Sequence, residues 1–188
     1  MIYVVGPLDD ALIKLITKVD DYKVVTQCSD LRPGDVVVIT DYDGSCNRAG
    51  VIRVSVKPRA DAIYTEKPLI PGLLRIALGV SRHIREDFLQ SLMSLGFRAF
   101  RIMGVRGAVE LTLDVKVSPG VNYTVASLQP DNSVFLVIGR GTARGTLLLD
   151  VDVYRGVDWG SAYIAEGDLI REVQLLCNAF NVRLSMAS

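Results

Sequence analysis

The sequence predicts a mixed chain: an α/β lobe with a largely parallel sheet, followed by an α+β lobe. The second lobe is expected to hold an antiparallel sheet of about five strands packed with helices. Three observations carry this expectation. The run DVVVIT (35–40) is apolar without alternation, as in a parallel strand buried on both faces. Residues 108–117 alternate, with Val109, Leu111, Leu113, Val115 and Val117 opposite Glu110, Thr112, Asp114 and Lys116, the pattern of a half-buried antiparallel strand. Finally, strand and helix signals alternate through the first third, whereas strands follow one another after Gly96. The expected division is 1–79 and 80–188, either as two domains or around one core.

Ile2 to Val5 reads as a short strand broken by Gly6-Pro7, after which Asp9 can cap a helix with Leu12, Leu15, Ile16 and Val19 on one face. Tyr22 to Thr26 and Val51 to Val56 read as further strands, with Arg32-Pro33-Gly34 as a turn. Pro71 can open a helix through Leu74 and Leu78 that Gly79 would close. Ser81 is the expected cap of a helix carrying Ile84, Phe88, Leu89, Leu92 and Leu95 inward and ending at Gly96. Val121 to Leu128 and Val134 to Ile138 flank the turn Gln129-Pro130-Asp131-Asn132. Thr146 to Tyr154 alternates like a strand, and a helix from about Asp168 to Phe180 closes the chain. RGAVELTLDV from Arg106 matches RGTLLLDVDV from Arg144 at an offset of 38, as two hairpins of like register would.

Composition narrows the function classes. The chain has 188 residues, with 21 basic and 21 acidic groups balancing to zero. That balance argues against an affinity dominated by nucleic-acid phosphates, without excluding a local phosphate or metal site. MIYVVGPLDD has neither the basic start nor the long apolar run of a secretion signal, so a cytoplasmic protein without membrane association is expected. Cys28, Cys46 and Cys177 form no CxxC pair and no even-numbered disulfide framework. Arginine outnumbers lysine 15 to 6, and only four Gln and five Asn occur. Scarce amides suit a hot environment, where cytosolic disulfides are less exceptional.

The best candidate for chemistry is Asp41-Tyr42-Asp43-Gly44-Ser45, at the carboxyl end of the buried strand, where open α/β sheets bind ligands. Asp41 and Asp43, as catalytic carboxylates, could share a magnesium ion with Asp9 or Asp10, while Ser45, Asn47 and Arg48 add polar groups. The competing reading is a well-made turn. VVVITDYDG resembles the strand-plus-DxD motif of Toprim domains, and Tyr3 to Asp10 looks like their first strand and loop, over about the first 50 residues. That resemblance implies magnesium-dependent phosphoryl chemistry on nucleic acids, but Val5 stands where those domains carry a glutamate. DYDGS is also similar to the nucleophile motif of haloacid dehalogenase-type phosphatases, which follows their first strand.

A second candidate is the pair of turns Gly104–Gly107 and Gly139–Gly145, where Arg106, Arg140 and Arg144 could bind phosphate or nucleic acid, with the glycines as a backbone nest. Trp159 and Tyr163 could line a pocket or a subunit contact; Asp114, Asp150 and Asp152 could converge; His83 could be a base. No catalytic constellation is complete. The expected function is therefore a non-enzymatic binding or assembly protein, self-associating as a homo-oligomer or part of a larger complex. Magnesium-dependent phosphoryl transfer through Asp41 and Asp43 is the alternative.

Overall fold

The structure is a computed structural model, and it describes residues 1–48, 50–82, 84, 87–154 and 157–186. His83 lies outside the described residues. The chain forms two compact units, Met1–Ser91 with Arg171–Asn181, and Leu92–Ile170 with Val182–Ser188.

The first unit is built on five parallel strands: β1 (Ile2–Val5), β2 (Tyr22–Val25), β3 (Val36–Ile39), β4 (Ile52–Ser55) and β5 (Ile63–Tyr64). Their order is β2-β1-β3-β4-β5. This is the doubly wound order of flavodoxin-like folds, which reverses direction between the first and third strands. All four residues of β3 are buried, as its unbroken apolar run requires. Helix α1 (Asp10–Thr17) buries Leu12 and Ile16. Asp9 caps it by accepting a 2.7 Å hydrogen bond from the Leu12 amide. Helix α2 (Ile70–Ser81) buries Leu73, Leu74, Ala77 and Val80 and packs on α1, β3 and β4. Val5, Val37 and Ile39 point into another cluster with Cys28, Leu31, Cys46 and Val51.

Three local expectations fail here. Gly79 lies inside α2 rather than closing it, and Ser81 is its last residue; the Ser81 hydroxyl donates back to Leu78 O at 2.9 Å. The next helix, α3 (Phe88–Ser94), starts later, where Asp87 Oδ1 accepts from the Gln90 amide. Leu89 is exposed on it rather than turned inward.

The second unit carries the antiparallel sheet, and it has eight strands rather than five. They are β6 (Arg98–Phe100), β7 (Ile102–Arg106), β8 (Glu110–Leu113), β9 (Asn122–Leu128), β10 (Val134–Gly141), β11 (Leu147–Leu148), β12 (Ala162–Glu166) and β13 (Leu184–Met186). The order is β6-β12-β9-β10-β11-β8-β7, and β13 pairs parallel to β10. The two end strands are consecutive in sequence, with only Arg101 between them. Residues 98–106 therefore act as one bent strand that pairs β12 with its first half and β8 with its second. The sheet thereby curls closed into a small barrel. Its interior is a single cluster that includes Phe100, Leu111, Leu113, Tyr123, Val125, Val137, Leu147 and Ile164.

Val151–Tyr154 is a helical turn, α4, not the end of a strand. Asp150 Oδ1 accepts from the Asp152 amide at 2.8 Å and starts the turn. The hairpin at 129–133 forms as expected, with Asn132 in the left-handed region at φ 65°. The two matched segments both form hairpins, and their second strands, β8 and β11, pair with each other.

Inside the barrel Gly139 and Gly141 point inward. A Cβ at Gly141 would sit 2.0 Å from Ser118 O, and one at Gly139 would meet Leu147 and Leu149 below 3 Å. Gly141→Ala should therefore lower the unfolding free energy by about 1–3 kcal/mol through overpacking. Gly79→Ala, with nothing within 4 Å of the added methyl, should raise it by about 0.5–1 kcal/mol. Paired denaturant melts check both signs.

The last helix, α5 (Ile170–Ala179), returns to the first unit from Arg171 onward. It is anchored there by Arg53 of β4, which is 2% exposed. The guanidinium donates to Cys46 O (2.9 Å), Asn178 Oδ1 (2.7 Å), Asn181 Oδ1 (3.2 Å) and the Asn178 carbonyl. The Gly50 amide takes the carbonyl of Ala179. Both carbonyls belong to the last helical turn, which lacks partners within the helix.

Candidate functional site

In the 2-1-3-4-5 order, the crevice lies beyond the carboxyl ends of the strands at the reversal between β1 and β3. A cleft of about 300 Å³ sits there, lined by Pro7, Leu8, Asp9, Leu12, Thr40, Asp41, Val56, Lys57 and Lys67. Each wall follows from the fold. Pro7 to Asp9 leave the end of β1, Thr40 and Asp41 leave β3, Val56 and Lys57 leave β4, and Lys67 precedes α2. Thr40 is buried, and its hydroxyl donates to Val5 O at 3.3 Å.

The cleft pairs each carboxylate with an ammonium. Lys67 Nζ lies 2.6 Å from Asp9 Oδ2, while Asp9 Oδ1 holds the α1 cap. The lysine hydrogen bond and the Leu12 amide hold the Asp9 carboxyl below its ordinary pKa. Lys57 Nζ lies 3.4 Å from Asp41 Oδ1, and both side chains are more than half exposed. Such exposed pairs are weak and exchange readily for a competing ligand. Apolar walls from Leu8, Leu12 and Val56 complete a mouth suited to a small charged molecule.

Of the carboxylates singled out from the sequence, Asp9 and Asp41 line this cleft, whereas Asp43 does not. Asp43 lies near Arg59 instead, whose pKa is raised first by its hydrogen bond to Asp61 and also by the Asp43 charge. Among the described residues, no group of three or more His, Cys, Asp or Glu gathers as metal ligands. Asp10 begins α1, and Arg48 is exposed. Ser45 Oγ donates to Asn47 Oδ1 at 3.1 Å. Asp114 pairs with Arg101, while Asp150 and Asp152 belong to the α4 turn. Val5, where a Toprim domain carries its glutamate, is fully buried.

The DYDGS loop is a built turn held from below. Arg59 donates to Asp61 Oδ1 (2.8 Å) and Oδ2 (2.9 Å), to Gly44 O (2.9 Å) and to Tyr42 O. Asp61 in turn accepts from the Cys46 amide at 3.0 Å. Arg59 lowers the Asp61 pKa most, and the Cys46 amide adds to this. Tyr42 folds over Gly44, where a Cβ would meet the phenolic oxygen at 2.3 Å and the ring at 2.4 Å. A disulfide joins Cys28 and Cys46 behind the loop. Cys177 is buried in α5, and burial pushes its thiol pKa up to about 12, so it is no ready thiolate.

Sequence reasoning missed Lys57, Lys67, Arg59 and Asp61. Their only signal is position: Lys57 and Lys67 follow strand ends at the cleft, and Arg59 and Asp61 lie in the segment between β4 and β5.

In the second unit, Trp159 stands edge-on to Phe135, 6.5 Å between centroids, and packs against the barrel cluster. Phe135 lines an open groove of about 490 Å³ with Asp131, Asp152 and Arg183. Tyr163 is half-buried in β12. Arg106 and Arg140 are exposed on the sheet, and Arg144 lies 4.0 Å from Glu110. The inward glycines beside Arg140 are packing positions, not a nest.

The fold and cleft define a doubly wound α/β unit with a switch-point cleft, joined to a small antiparallel barrel. No family model, curated protein or solved structure matches the chain. Among the described residues, no helix is long and apolar enough to cross a membrane.

Proposed function

We propose that the chain is a non-enzymatic binding protein whose first unit holds a small phosphate-bearing ligand at the switch-point cleft. The observation that carries this reading is the pair of ammonium groups, Lys57 and Lys67, converging on one cleft at the strand ends. An incoming phosphate would displace Asp41 from its exposed ion pair with Lys57 and take the Lys67 hydrogen bond from Asp9. Asp9 also remains committed to the helix cap, which leaves Lys67 the freer partner. Assembly, the other half of this reading, is supported by the exposed Met103 (62%) and Val105 (45%) on β7.

Magnesium-dependent phosphoryl transfer is the second reading, favoured by Asp9 and Asp41 lining one cleft. One calorimetric experiment separates the two. Ribose 5-phosphate and inorganic phosphate are titrated into the protein with and without magnesium, and product formation is followed from p-nitrophenyl phosphate. Magnesium-independent binding, weakened about tenfold or more in Lys67→Ala, is expected from a lost charge-assisted hydrogen bond. Binding that needs magnesium and disappears in Asp41→Asn, with turnover, would move the assignment to the enzyme. Unchanged affinity in both lysine variants would remove the cleft altogether.

A further inference from the structure

We propose that the outer face of the barrel binds the phosphate backbone of a nucleic acid. This inference is independent of the cleft and rests on strand register. Asn122 pairs Arg140, Arg140 pairs Leu148, Leu148 pairs Glu110, and Glu110 pairs Arg106. Residues directly opposite one another share a face. These five therefore form one row across β9, β10, β11, β8 and β7. The neighbouring row, Gly141, Leu147 and Leu111, is buried from β10 to β8, so Arg140 faces outward; on β7 both Val105 and Arg106 are exposed.

Packing fixes Arg140 there. Gly139 and Gly141 flank it at positions where the interior admits no Cβ, so the strand cannot slip by one residue and bury the arginine. Arg144, on the turn between β10 and β11, stands beside the row. Glu110 is the row's single carboxylate, and its nearest cation is Arg144, at 4.0 Å. Among the described residues, neither Arg106 nor Arg140 has a carboxylate oxygen within 4.0 Å. Two guanidiniums are thus available and a third is loosely held.

The spacing suits a polyanion better than a single phosphate. Arg106 and Arg140 stand three strand separations apart, at most about 14 Å. That distance matches roughly four nucleotides along one strand of a duplex. Guanidinium forks are the side chains best shaped for phosphate oxygens. The row holds no aromatic residue on which a base could stack, so recognition is of backbone charge and blind to sequence. The zero net charge of the chain fits a local footprint that stays weak at physiological salt.

The test is fluorescence anisotropy of the full chain with labelled single-stranded DNA, single-stranded RNA and duplex DNA over a salt series. Association is expected at low salt. The slope of log K against log salt should be about −2 for single strands if all three arginines engage. The Arg106→Ala/Arg140→Ala pair should lose at least tenfold in affinity and reduce the slope for single strands by about 1.4. Arg106→Lys/Arg140→Lys should retain the slope, which distinguishes lost charge from lost fold. The DNA and RNA arms decide which backbone is preferred. No binding at low salt, an affinity unchanged in the alanine pair, or equal binding of a polyglutamate peptide would overturn the proposal.

Discussion

Replacing Arg53 by methionine should lower the stability of the first unit by about 3–5 kcal/mol, because several buried acceptors lose their donor at once. Methionine approximates the aliphatic stem but leaves Cys46 O, Asn178 O, Asn178 Oδ1 and Asn181 Oδ1 without their donor. Desolvation of each orphaned acceptor adds to the loss. Burial already pulls the Arg53 pKa downward, so the site holds its charge against a desolvation cost, with nearby Asp61 opposing the shift. Among the described residues Arg53 Nε finds no partner, and this small deficit does not change the sign of the effect. Lysine keeps the charge but not the fork, and should recover only part of the stability.

Helix α5 should respond first, because its last carbonyls are bound by Arg53 and Gly50. Trp159, the only tryptophan, belongs to the second unit, so its emission follows the barrel while far-UV circular dichroism follows all helices. Urea unfolding by both probes should show the dichroism midpoint falling most in Arg53→Met. A midpoint within about 0.5 kcal/mol of the parent, the range of ordinary surface changes, would refute the anchoring role.

The same residue illustrates what sequence could and could not disclose. In IRVS an arginine between apolar neighbours reads as an outward position, and only the return of Arg171–Asn181 covers it. Local signals served well where local physics decides. The unbroken run of β3, the Asp9 cap of α1 and the turn at 129–133 were all legible. Val151 and Val153 alternate with aspartates as a strand would, yet Asp150 bonds the backbone ahead of it and starts a helical turn. Barrel closure was hidden because residues 98–106 bend at Arg101 and pair with strands on two sides. For the cleft, Asp9 and Asp41 were legible because strand ends are where such sites lie. Lys57 and Lys67 were not, since a lone lysine after a short strand has no pattern.

Opening the Cys28–Cys46 bridge is the second change with a large expected effect. The cysteines are 18 residues apart, and closing a loop of that size in the unfolded chain is worth about 3 kcal/mol. Both are about 1% exposed, within a cluster that includes Val5, Leu31, Val37 and Ile39. Cys28→Ala/Cys46→Ala adds a packing loss to the lost cross-link, so it should be less stable than the parent by at least that amount. The loop carrying Tyr42 to Cys46 would still be held by Arg59 and Asp61, which bond its backbone at Tyr42 O, Gly44 O and the Cys46 amide. The first unit should therefore fold in the variant, with its urea midpoint lowered, while Trp159 emission changes little. Reductant should reproduce the loss only after unfolding exposes the bridge, because a buried disulfide is poorly reached by an attacking thiolate. Equal midpoints for parent and variant would mean that Arg59, Asp61 and the apolar cluster alone define the loop. Quick reduction of the folded protein would contradict the burial of the two sulfurs.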